Sequence, residues 1–382
     1  MATPPWIRRT AGVLLGTALT VGSPVTLAEI GDVLETPARE TKLADENLLT
    51  DLERAGDRLV AVGERGHIIY SDDQGETWRQ AEVPVQVTLT GVDFPNATKG
   101  WAVGHGGVIL HSPDGGESWE KQLDGWEAVE KLAASLEEKI ARMKEQIEEA
   151  PEEEKADLEW DMEGVQITLE NLKADQALGP WKPFLDVAFQ NATTGFAIGA
   201  YGFVFRTTDG GETWQDWSSN VPNPDGFHLN GLAELTGGAL LMVGEAGTMY
   251  RSTDEGESWE SVQSPYTGSW FHVIATGNVN EAIAFGLRGN TFRTTDMGRS
   301  WTAVTDTSDS TLNNGVVNGD GRITLVGNGG AVLVSTNDGE SFRPIFRDDR
   351  EGVLDAEPVS DTEMLLIGEG GVKRTDLKGR NL

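Results

Sequence analysis

The stretch Ser71-Asp72-Asp73-Gln74-Gly75-Glu76-Thr77-Trp78 decides the fold, because the chain repeats it. Its pattern is Ser/Thr-x-Asp-x-Gly-x-Ser/Thr-Trp, and we call each copy a box. The boxes span 71–78, 112–119, 207–214, 252–259, 294–301 and 335–342, and a truncated copy follows at 374–376. The sixth has Asn337 and Phe342 in place of Asp and Trp. Copies at a nearly fixed spacing are typical of repeat proteins.

A second repeated element precedes each box, an apolar run that ends in Gly-x-x-Gly. We call these elements the glycine turns. Seven occur, at 63–66, 104–107, 199–202, 244–247, 286–289, 327–330 and 368–371. Glycine supplies the positive φ that a tight hairpin needs, so each turn is predicted to join two strands.

The spacing of the boxes predicts the architecture. Successive box Asp or Asn residues lie 39 to 45 apart, except for a step of 95 between Asp114 and Asp209. Four short strands fit each repeat, which predicts an all-β, seven-bladed β-propeller of four-stranded antiparallel blades, with a linear solenoid as the alternative. The last repeat lacks a fourth strand after Asp376, and residues 30–45 are expected to supply it and latch the ring.

The long step contains an insert with helical periodicity. Apolar residues recur at steps of three or four on two segments separated by Pro151, which predicts an antiparallel helical hairpin over 125–180. The predicted seam residues are Trp126, Val129, Leu132, Leu136, Ile140, Met143, Ile147, Leu158, Met162, Val165, Leu169 and Leu172. Two interpretations stay open: a self-contained decoration, or an arm that docks on a partner through polar, acidic faces.

The first 28 residues predict export. Arg8 and Arg9 precede a short apolar run, and small residues precede Ala28, which is typical of a secretory signal peptide cleaved after Ala28. The run is too short for a membrane anchor. The expected organisation is a signal peptide (1–28), a latch with blades 1 and 2 (29–124), the hairpin (125–180) and blades 3 to 7 (181–382). We expect a periplasmic or otherwise exported protein, soluble after cleavage.

Composition excludes several kinds of function. With 62 Asp and Glu against 30 Lys and Arg, the net charge of −32 disfavours nucleic acid and anionic lipid as partners. The chain has no cysteine, and its five histidines lack the spacing of metal ligands. No cofactor or metal is therefore expected.

The boxes are predicted to be structural and not catalytic. Their Asp sits in a turn where the carboxylate can accept backbone N–H groups, and six copies are more than one catalytic site would need. The predicted structural residues are Asp73, Trp78, Asp114, Trp119, Asp209, Trp214, Asp254, Trp259, Asp296, Trp301, Asn337 and Phe342.

Boxes and glycine turns together make the chain resemble the photosystem II stability/assembly factor family of exported Asp-box (BNR-repeat) propellers. The resemblance covers roughly 46–376, outside the insert. It implies a non-enzymatic binding scaffold that helps to assemble a membrane-protein complex of the cell envelope. Non-photosynthetic relatives of this family often accompany RND-type exporters, so such an exporter is one expected partner. The helical insert departs from the family and puts a photosynthetic partner in doubt.

Two other functions remain open. Sialidases also carry Asp boxes, so a glycan-binding or glycan-cleaving propeller is the main alternative, with Trp181, Trp217 and Trp270 as stacking surfaces. The four tyrosines (Tyr70, Tyr201, Tyr250 and Tyr266) show no recognisable sialidase constellation. A structural secreted protein without a specific client is the third interpretation.

Blade topology locates a candidate contact surface. In a four-stranded blade the glycine turns and the connections between blades lie at one end, opposite the boxes, so the insert should share that end. Arg65, Arg288, Arg347 and Arg350 are expected there and could bind a carboxylate or phosphate of a partner. The alternative is that they are surface arginines paired with Glu64, Asp348, Asp349 and Glu369.

Overall fold

The computed structural model describes residues 32–176, 179, 182–305 and 308–382. The predicted signal peptide and its cleavage site lie outside these residues, as do Trp181 and the predicted boundary between 180 and 181. Within the described part the chain forms seven antiparallel sheets, one after another along the sequence. In each sheet every strand pairs with the next one in sequence, and the first strand lies at the central channel. The predicted seven-bladed propeller is confirmed, and the solenoid alternative is wrong.

Six blades have four strands and the last has three. Their bounds are β1 Leu49–Ala55, β2 Arg58–Gly63, β3 Ile68–Ser71 and β4 Arg79–Gln80 (blade 1); β5 Leu89–Asp93, β6 Gly100–Gly104, β7 Ile109–Ser112 and β8 Glu120–Leu123 (blade 2); β9 Phe184–Phe189, β10 Gly195–Gly199, β11 Val204–Thr207 and β12 Gln215–Asp216 (blade 3); β13 Leu229–Glu234, β14 Leu240–Gly244, β15 Met249–Ser252 and β16 Glu260–Ser261 (blade 4); β17 Trp270–Ala275, β18 Ala282–Gly286, β19 Thr291–Thr294 and β20 Thr302–Ala303 (blade 5); β21 Leu312–Val317, β22 Ile323–Gly327, β23 Ala331–Ser335 and β24 Arg343–Phe346 (blade 6); β25 Val353–Pro358, β26 Glu363–Gly368 and β27 Lys373–Asp376 (blade 7).

The second strand of each blade forms the core. In blades 2 to 6 every residue of this strand is buried, because each sheet is covered on both faces by neighbouring blades. Such strands are continuous apolar runs instead of alternating ones. Apolar clusters therefore lie between blades: Trp101 of blade 2, for example, stacks on Phe189 of blade 3 at 3.6 Å between ring centroids.

Each box closes its turn with a fixed set of hydrogen bonds. In blade 1, Ser71 Oγ donates to Asp73 Oδ1 (2.7 Å) and accepts from Gly75 N (2.8 Å). Thr77 donates its backbone N–H to Oδ1 (2.9 Å) and its hydroxyl to Oδ2 (2.6 Å) of the same carboxylate. Equivalent bonds recur at Asp114, Asp209, Asp254 and Asp296. In the sixth box the oxygen of Asn337 accepts from Ser335 Oγ and Ser341 N, and its amide donates to Ser341 Oγ (3.1 Å). The carboxylates are thus engaged in holding the turn.

The remaining box residues join neighbouring blades. The box aromatic of each blade packs on the preceding blade: Trp119 joins the cluster that contains Val60 of blade 1, and Trp78 joins the cluster of blade 7 with Leu365. The box glycine is just as close to that blade, since a Cβ on Gly256 would lie 2.2 Å from Phe196 Cζ of blade 3. The boxes therefore hold both the turn and the blade-to-blade contact.

The ring closes without the expected fourth strand in blade 7. Residues 32–48 form no strand. Residues 33–38 lie along the segment after blade 1, where Ala38 N donates to Val83 O (2.9 Å) and Gln86 N to Val33 O (2.8 Å), and Asp45 O accepts Val372 N (2.8 Å) of blade 7. The C-terminal tail folds back instead, and Thr375 bridges to Asn381 beside β27. The predicted fourth strand from 30–45 is wrong, because the outer edge of blade 7 is already covered by this tail.

Direct contacts join blade 7 to blade 1. Leu52 N donates to Asp355 Oδ2 (3.0 Å) across the joint. Arg54 binds Glu357, and Arg374 binds Glu76 (3.1 Å). Backbone capture by a carboxylate and paired charges thus replace a shared sheet as the means of closure.

The insert forms the predicted pair of helices, α1 (Gly125–Glu149) and α2 (Glu152–Gln176), which we call the arm. Asp124 caps α1 by accepting the N–H groups of Trp126 and Glu127. The seam residues from Val129 to Leu172 are buried or half-buried between the helices, but Trp126 is exposed, so its place in the seam was wrong. α2 begins one residue after Pro151. No helix in the described ranges is both long and apolar enough to cross a bilayer.

Candidate functional site at the mouth of the central channel

The two ends of the ring differ in what they carry. The boxes lie between the third and fourth strands, and the glycine turns lie between the second and third, at the opposite end. The arm starts at the glycine-turn end, because a Cβ on Gly107 of the second glycine turn would lie 2.7 Å from Gly125 Cα of α1. The first strand of each blade lines the central channel, which opens at this end.

Seven equivalent positions form the channel mouth. In every blade the pairing between the first and second strands has a β-bulge at the second residue of the first strand. A bulge changes the direction of the side chain of that residue. These residues, one from each blade, line a cavity of about 360 Å³ and are here called the mouth ring: Thr50, Thr90, Leu185, Asn230, Phe271, Asn313 and Leu354.

The polar members of the mouth ring also connect blades. Thr50 Oγ1 donates to Leu89 O (2.8 Å) and Thr90 Oγ1 to Phe184 O (2.9 Å). The amide of Asn230 donates to Trp270 O, and that of Asn313 donates to Val353 O. Leu185, Phe271 and Leu354 are half-buried and give the cavity an apolar part. The ring is therefore a rigid rim with mixed polar and apolar character.

A layer of carboxyl groups lies beneath the rim. Asp51 Oδ2 accepts Val92 N (2.8 Å), Asp186 Oδ2 accepts Leu232 N (2.8 Å), and Asp355 accepts Leu52 N, each from a neighbouring blade. The equivalent position is glycine in blades 2 and 4, and a Cβ on Gly231 would lie 2.6 Å from His272 Nδ1. These carboxyls thus fasten blades together while facing the channel.

Burial changes the protonation of this layer. Burial raises the pKa of Asp51 to about 6 and that of Asp186 to about 7. Further down, burial raises the pKa of Asp93 to about 7. The pKa of His272 is lowered by burial. At neutral pH the channel is therefore less negatively charged than its count of carboxyl groups suggests, and its histidine is neutral.

The channel mouth carries groups that can bind a ligand. In the described residues no group of three or more His, Cys, Asp or Glu is placed to hold a metal ion. The rim offers hydroxyl, amide and apolar side chains, and the layer below offers acceptors. A partner side chain or chain end that combines apolar atoms with hydrogen-bond donors would match both levels.

The four predicted arginines divide into two kinds. Arg65 and Arg288 occupy the third position of their glycine turns, both with φ of 58–59°, and are exposed at the glycine-turn end. Arg350 is also exposed and lies over the Phe346 ring. Arg347 is only 6% exposed, and its guanidinium binds Asp349, Gly379 O and Asn381. Arg347 therefore anchors the C-terminal tail and is not placed to contact a partner.

A glycan-binding site would need exposed aromatic rings, and the structure does not expose the two tryptophans that were predicted to stack on sugars and that it describes. Trp270 is buried in the core. Trp217 is half-buried, donates to Gly256 O (2.8 Å) and lies under Arg206. Tyr201 is exposed in the third glycine turn, next to His228 at 4.8 Å between ring centroids. Neither Trp217 nor Trp270 is an open stacking surface.

The mouth ring was not predicted from the sequence. Its members share no single residue type, so no motif marks them. Their distance from the glycine turns could have identified them. Each member lies 13 to 15 residues before the first glycine of its glycine turn, and it directly follows the first buried residue of its strand. Aligning the repeats on those glycines brings all seven residues to within one position of a common column.

Comparison with known proteins agrees with this architecture. The family model of the photosynthesis system II assembly factor YCF48 matches residues 70–138 and 170–347, and the unmatched stretch between them lies in the arm. A photosystem II assembly lipoprotein Ycf48 of Synechococcus sp. (strain RCC307) is 43% identical over 54 residues, and one of Prochlorococcus marinus is 34% identical over 62 residues. The chain spans 16% and 18% of the length of these relatives in alignments that cover 14% of this chain.

Solved structures show the same fold. A structure described as YCF48 bound to D1 peptide has a TM-score of 0.57 at 15% identity and covers 86% of this chain and 92% of its own. YCF48 from Cyanidioschyzon merolae gives 0.55 at 13% identity, over 88% and 97% of the two chains. The family model matches well over half of the chain, on both sides of the arm, so this protein belongs to the family of the photosynthesis system II assembly factor YCF48.

Proposed function

We propose that this protein is a non-enzymatic, exported binding scaffold that assists the assembly of an envelope membrane-protein complex. The observation that carries the proposal is the mouth ring, where the seven blades present four kinds of side chain around one cavity of about 360 Å³. At the box end, by contrast, the blades repeat the same residues for the same structural purpose. Variation on a rigid rim is what a specific contact surface requires.

The family supports a polypeptide as the ligand. One of the YCF48 structures with this fold is described as bound to D1 peptide. By analogy, the mouth ring would hold a segment of the client, with apolar atoms against Leu185, Phe271 and Leu354 and donors toward the amides and carboxyls. The exposed Arg65, Arg288 and Arg350 would bind acidic groups of that client around the mouth.

The arm would supply the second contact. Its base is fixed: Ala128 is fully buried against blades 2 and 3, while the distal half of both helices projects beyond this contact. The family model leaves 139–169 unmatched, so the distal arm is an addition to the part of the chain that the family model matches. An RND-type exporter is the client class that we propose to test first. Export would follow cleavage after Ala28, which N-terminal sequencing of the mature protein checks.

The test is site-specific photo-crosslinking in the native membrane. A photoreactive residue replaces Leu185 in the mouth ring, and the matched control replaces Thr253, which is exposed in a box at the opposite end. The proposal expects a membrane protein to be captured from position 185 and not from 253. Equal capture from both positions, or none from either, would contradict it.

A truncation tests the arm. Lys173 Nζ binds Glu137 Oε1 at 2.7 Å, so residues 138–171 can be replaced by a short glycine linker that joins neighbouring points and keeps the base with the buried Leu172. The shortened protein should remain folded and capture less client from position 185. Unchanged capture would show that the arm is not a contact.

A further inference from the structure

The arm carries a second apolar surface that faces away from its seam. Trp160 and Ile167 of α2 are 76% and 51% exposed, unusual for large apolar side chains. They are seven residues apart and hence on one face of the helix. The seam residues Leu158, Val165 and Leu169 lie on the opposite face of α2. Packing between α1 and α2 therefore does not explain Trp160 and Ile167.

The surface extends along α2 and is interrupted by the exposed Asn171 between Ile167 and Ala174. Ala156, Trp160, Gly164, Ile167 and Ala174 are all exposed and follow one another at steps of three, four or seven, over about 27 Å at 1.5 Å per residue. A Cβ on Gly164 would meet nothing within 4 Å, so a notch separates the two large side chains. We call these five residues the outer stripe. A bulky side chain of a packed helix can enter such a notch.

Acidic residues border the outer stripe. Asp157, Glu163 and Glu170 are exposed beside it. The two lysines of α2 are engaged elsewhere, since Lys155 binds Glu152 and Lys173 binds Glu137. Within the described ranges no ion pair engages the three bordering carboxylates. The stripe is thus an apolar strip with uncompensated negative charge on its sides.

We propose that the outer stripe docks a basic amphipathic helix of a partner protein. The apolar face of that helix covers Trp160, Gly164 and Ile167, and its Lys or Arg residues meet the bordering carboxylates. Charge selects this occupant, because a second copy of the acidic arm and an anionic lipid surface would both be repelled. An exposed Trp at the centre of an apolar strip is the residue type that dominates interface energies. This inference rests on the proposed function only in taking the arm as a contact element.

The test measures binding of a labelled peptide to the full chain by fluorescence polarisation. The probe is a helical peptide with leucines at alternating steps of three and four residues, which form one apolar face, and with lysines on both sides of that face. The matched peptide has glutamate in place of each lysine. We expect the lysine peptide alone to bind. Trp160→Ala should weaken it about tenfold or more, and the triple change of Asp157→Asn, Glu163→Gln and Glu170→Gln should weaken it severalfold and flatten its salt dependence.

Controls separate this surface from general stickiness. Trp126→Ala removes the exposed Trp at the arm base and should leave affinity within about twofold. Circular dichroism should show the same helix content for every variant, since all changed side chains point away from the seam. Equal binding to Trp160→Ala, or equal binding of the glutamate peptide, overturns the inference. So does Trp160-dependent dimerisation in sedimentation, or Trp160-dependent flotation with anionic vesicles.

The outcomes also separate this inference from the proposed function. If peptide binding ignores Trp160 while crosslinking from position 185 persists, the outer stripe is wrong and the scaffold function stands. If peptide binding follows Trp160 while crosslinking from 185 fails, the stripe stands without the channel mouth.

Discussion

The box end and the glycine-turn end of the same ring obey different rules. At the box end, six blades present the same hydrogen bonds around an Asp or Asn, and the aromatic and glycine residues fill the joint to the preceding blade. At the glycine-turn end, the backbone repeats while the mouth ring varies among threonine, asparagine, leucine and phenylalanine. The uniform residues of the box end thus hold the ring together, and the varied mouth ring is the surface for which we propose a binding role.

The largest expected effect tests the structural role of the box end. Gly256→Ala places a Cβ at 2.2 Å from Phe196 and at φ of 79°, so steric overlap adds to backbone strain. We expect the free energy of unfolding to fall by about 3 kcal/mol. Gly238→Ala is the matched control, because its φ is 85° and nothing lies within 4 Å, and it should lose about 1 kcal/mol. Urea denaturation compares the two, and equal losses would show that the box glycine is chosen for its turn alone.

The next effect distinguishes two neighbouring arginines at the glycine-turn end. Arg347→Ala breaks three buried contacts to Asp349, Gly379 and Asn381 and should lower the free energy of unfolding by about 2 kcal/mol. Arg350→Ala, three residues on and exposed, should change it by less than about 0.5 kcal/mol. If thermal denaturation shows no difference, the C-terminal tail is not anchored as described.

The carboxyl groups of the channel and those of the boxes should make the free energy of unfolding depend on pH in opposite directions. Burial raises the pKa of Asp93 from 3.8 to about 7, so the unfolded chain ionises first and stability falls as pH rises from about 4 to about 7. Asp93→Asn cannot ionise, and its loss over this range should be smaller, by at most about 1.4 kcal/mol per pH unit. Urea midpoints at several pH values measure this slope, and an unchanged slope would show that Asp93 ionises normally.

The box carboxylates should act in the other direction. The hydroxyl of Ser258, with the backbone N–H of the same residue, lowers the pKa of Asp254 to about 2. Its stabilisation is present above about pH 4 and is lost as pH falls toward 2. Asp254→Asn should flatten only this acid limb, because Asn337 holds the same turn in blade 6, where its oxygen accepts Ser341 N and its amide donates to Ser341 Oγ. A change in the limb above pH 4 would contradict this assignment.

The smallest effect concerns the exposed arginines of the glycine turns. Arg65→Ala and Arg288→Ala relieve no strain and break no ion pair among the described contacts, so stability should stay within about 0.5 kcal/mol. Client capture from position 185 should nevertheless fall. Retained capture in the double variant would leave these arginines as ordinary surface residues.

Sequence periodicity was sufficient for the ring because each repeat carries its own strand, turn and box signals. The arm followed from a second period, and its seam was correct from Val129 onward. The prediction for Trp126 was wrong: this residue stands in the first turn of α1, and its side chain is 40% exposed. The prediction of Trp270 as a stacking surface was also wrong. Trp270 occupies the same strand position in blade 5 as the buried Leu229 in blade 4, and an aromatic residue taken alone does not reveal which strand position it holds.

Contacts between distant segments could not be predicted from local patterns. Arg347 is buried because the chain returns to it through Gly379 and Asn381, and only the folded tail reveals this. The blade-fastening role of Asp51, Asp186 and Asp355 likewise depends on a neighbouring blade. The outer stripe was visible as sequence, yet its exposure required knowing which face of α2 the seam uses.

The way the ring closes has a consequence for how the chain folds. Asp51 meets Val92 across 41 residues, whereas Leu52 meets Asp355 across 303. Closing the longer loop costs about 1.8 kcal/mol more in chain entropy, because that cost grows as (3/2)RT ln n. The joint between blades 7 and 1 is thus the one that the unfolded chain finds hardest to form. The arginine contacts of Arg54 and Arg374 lie across that joint, where additional attraction has the most entropy to offset.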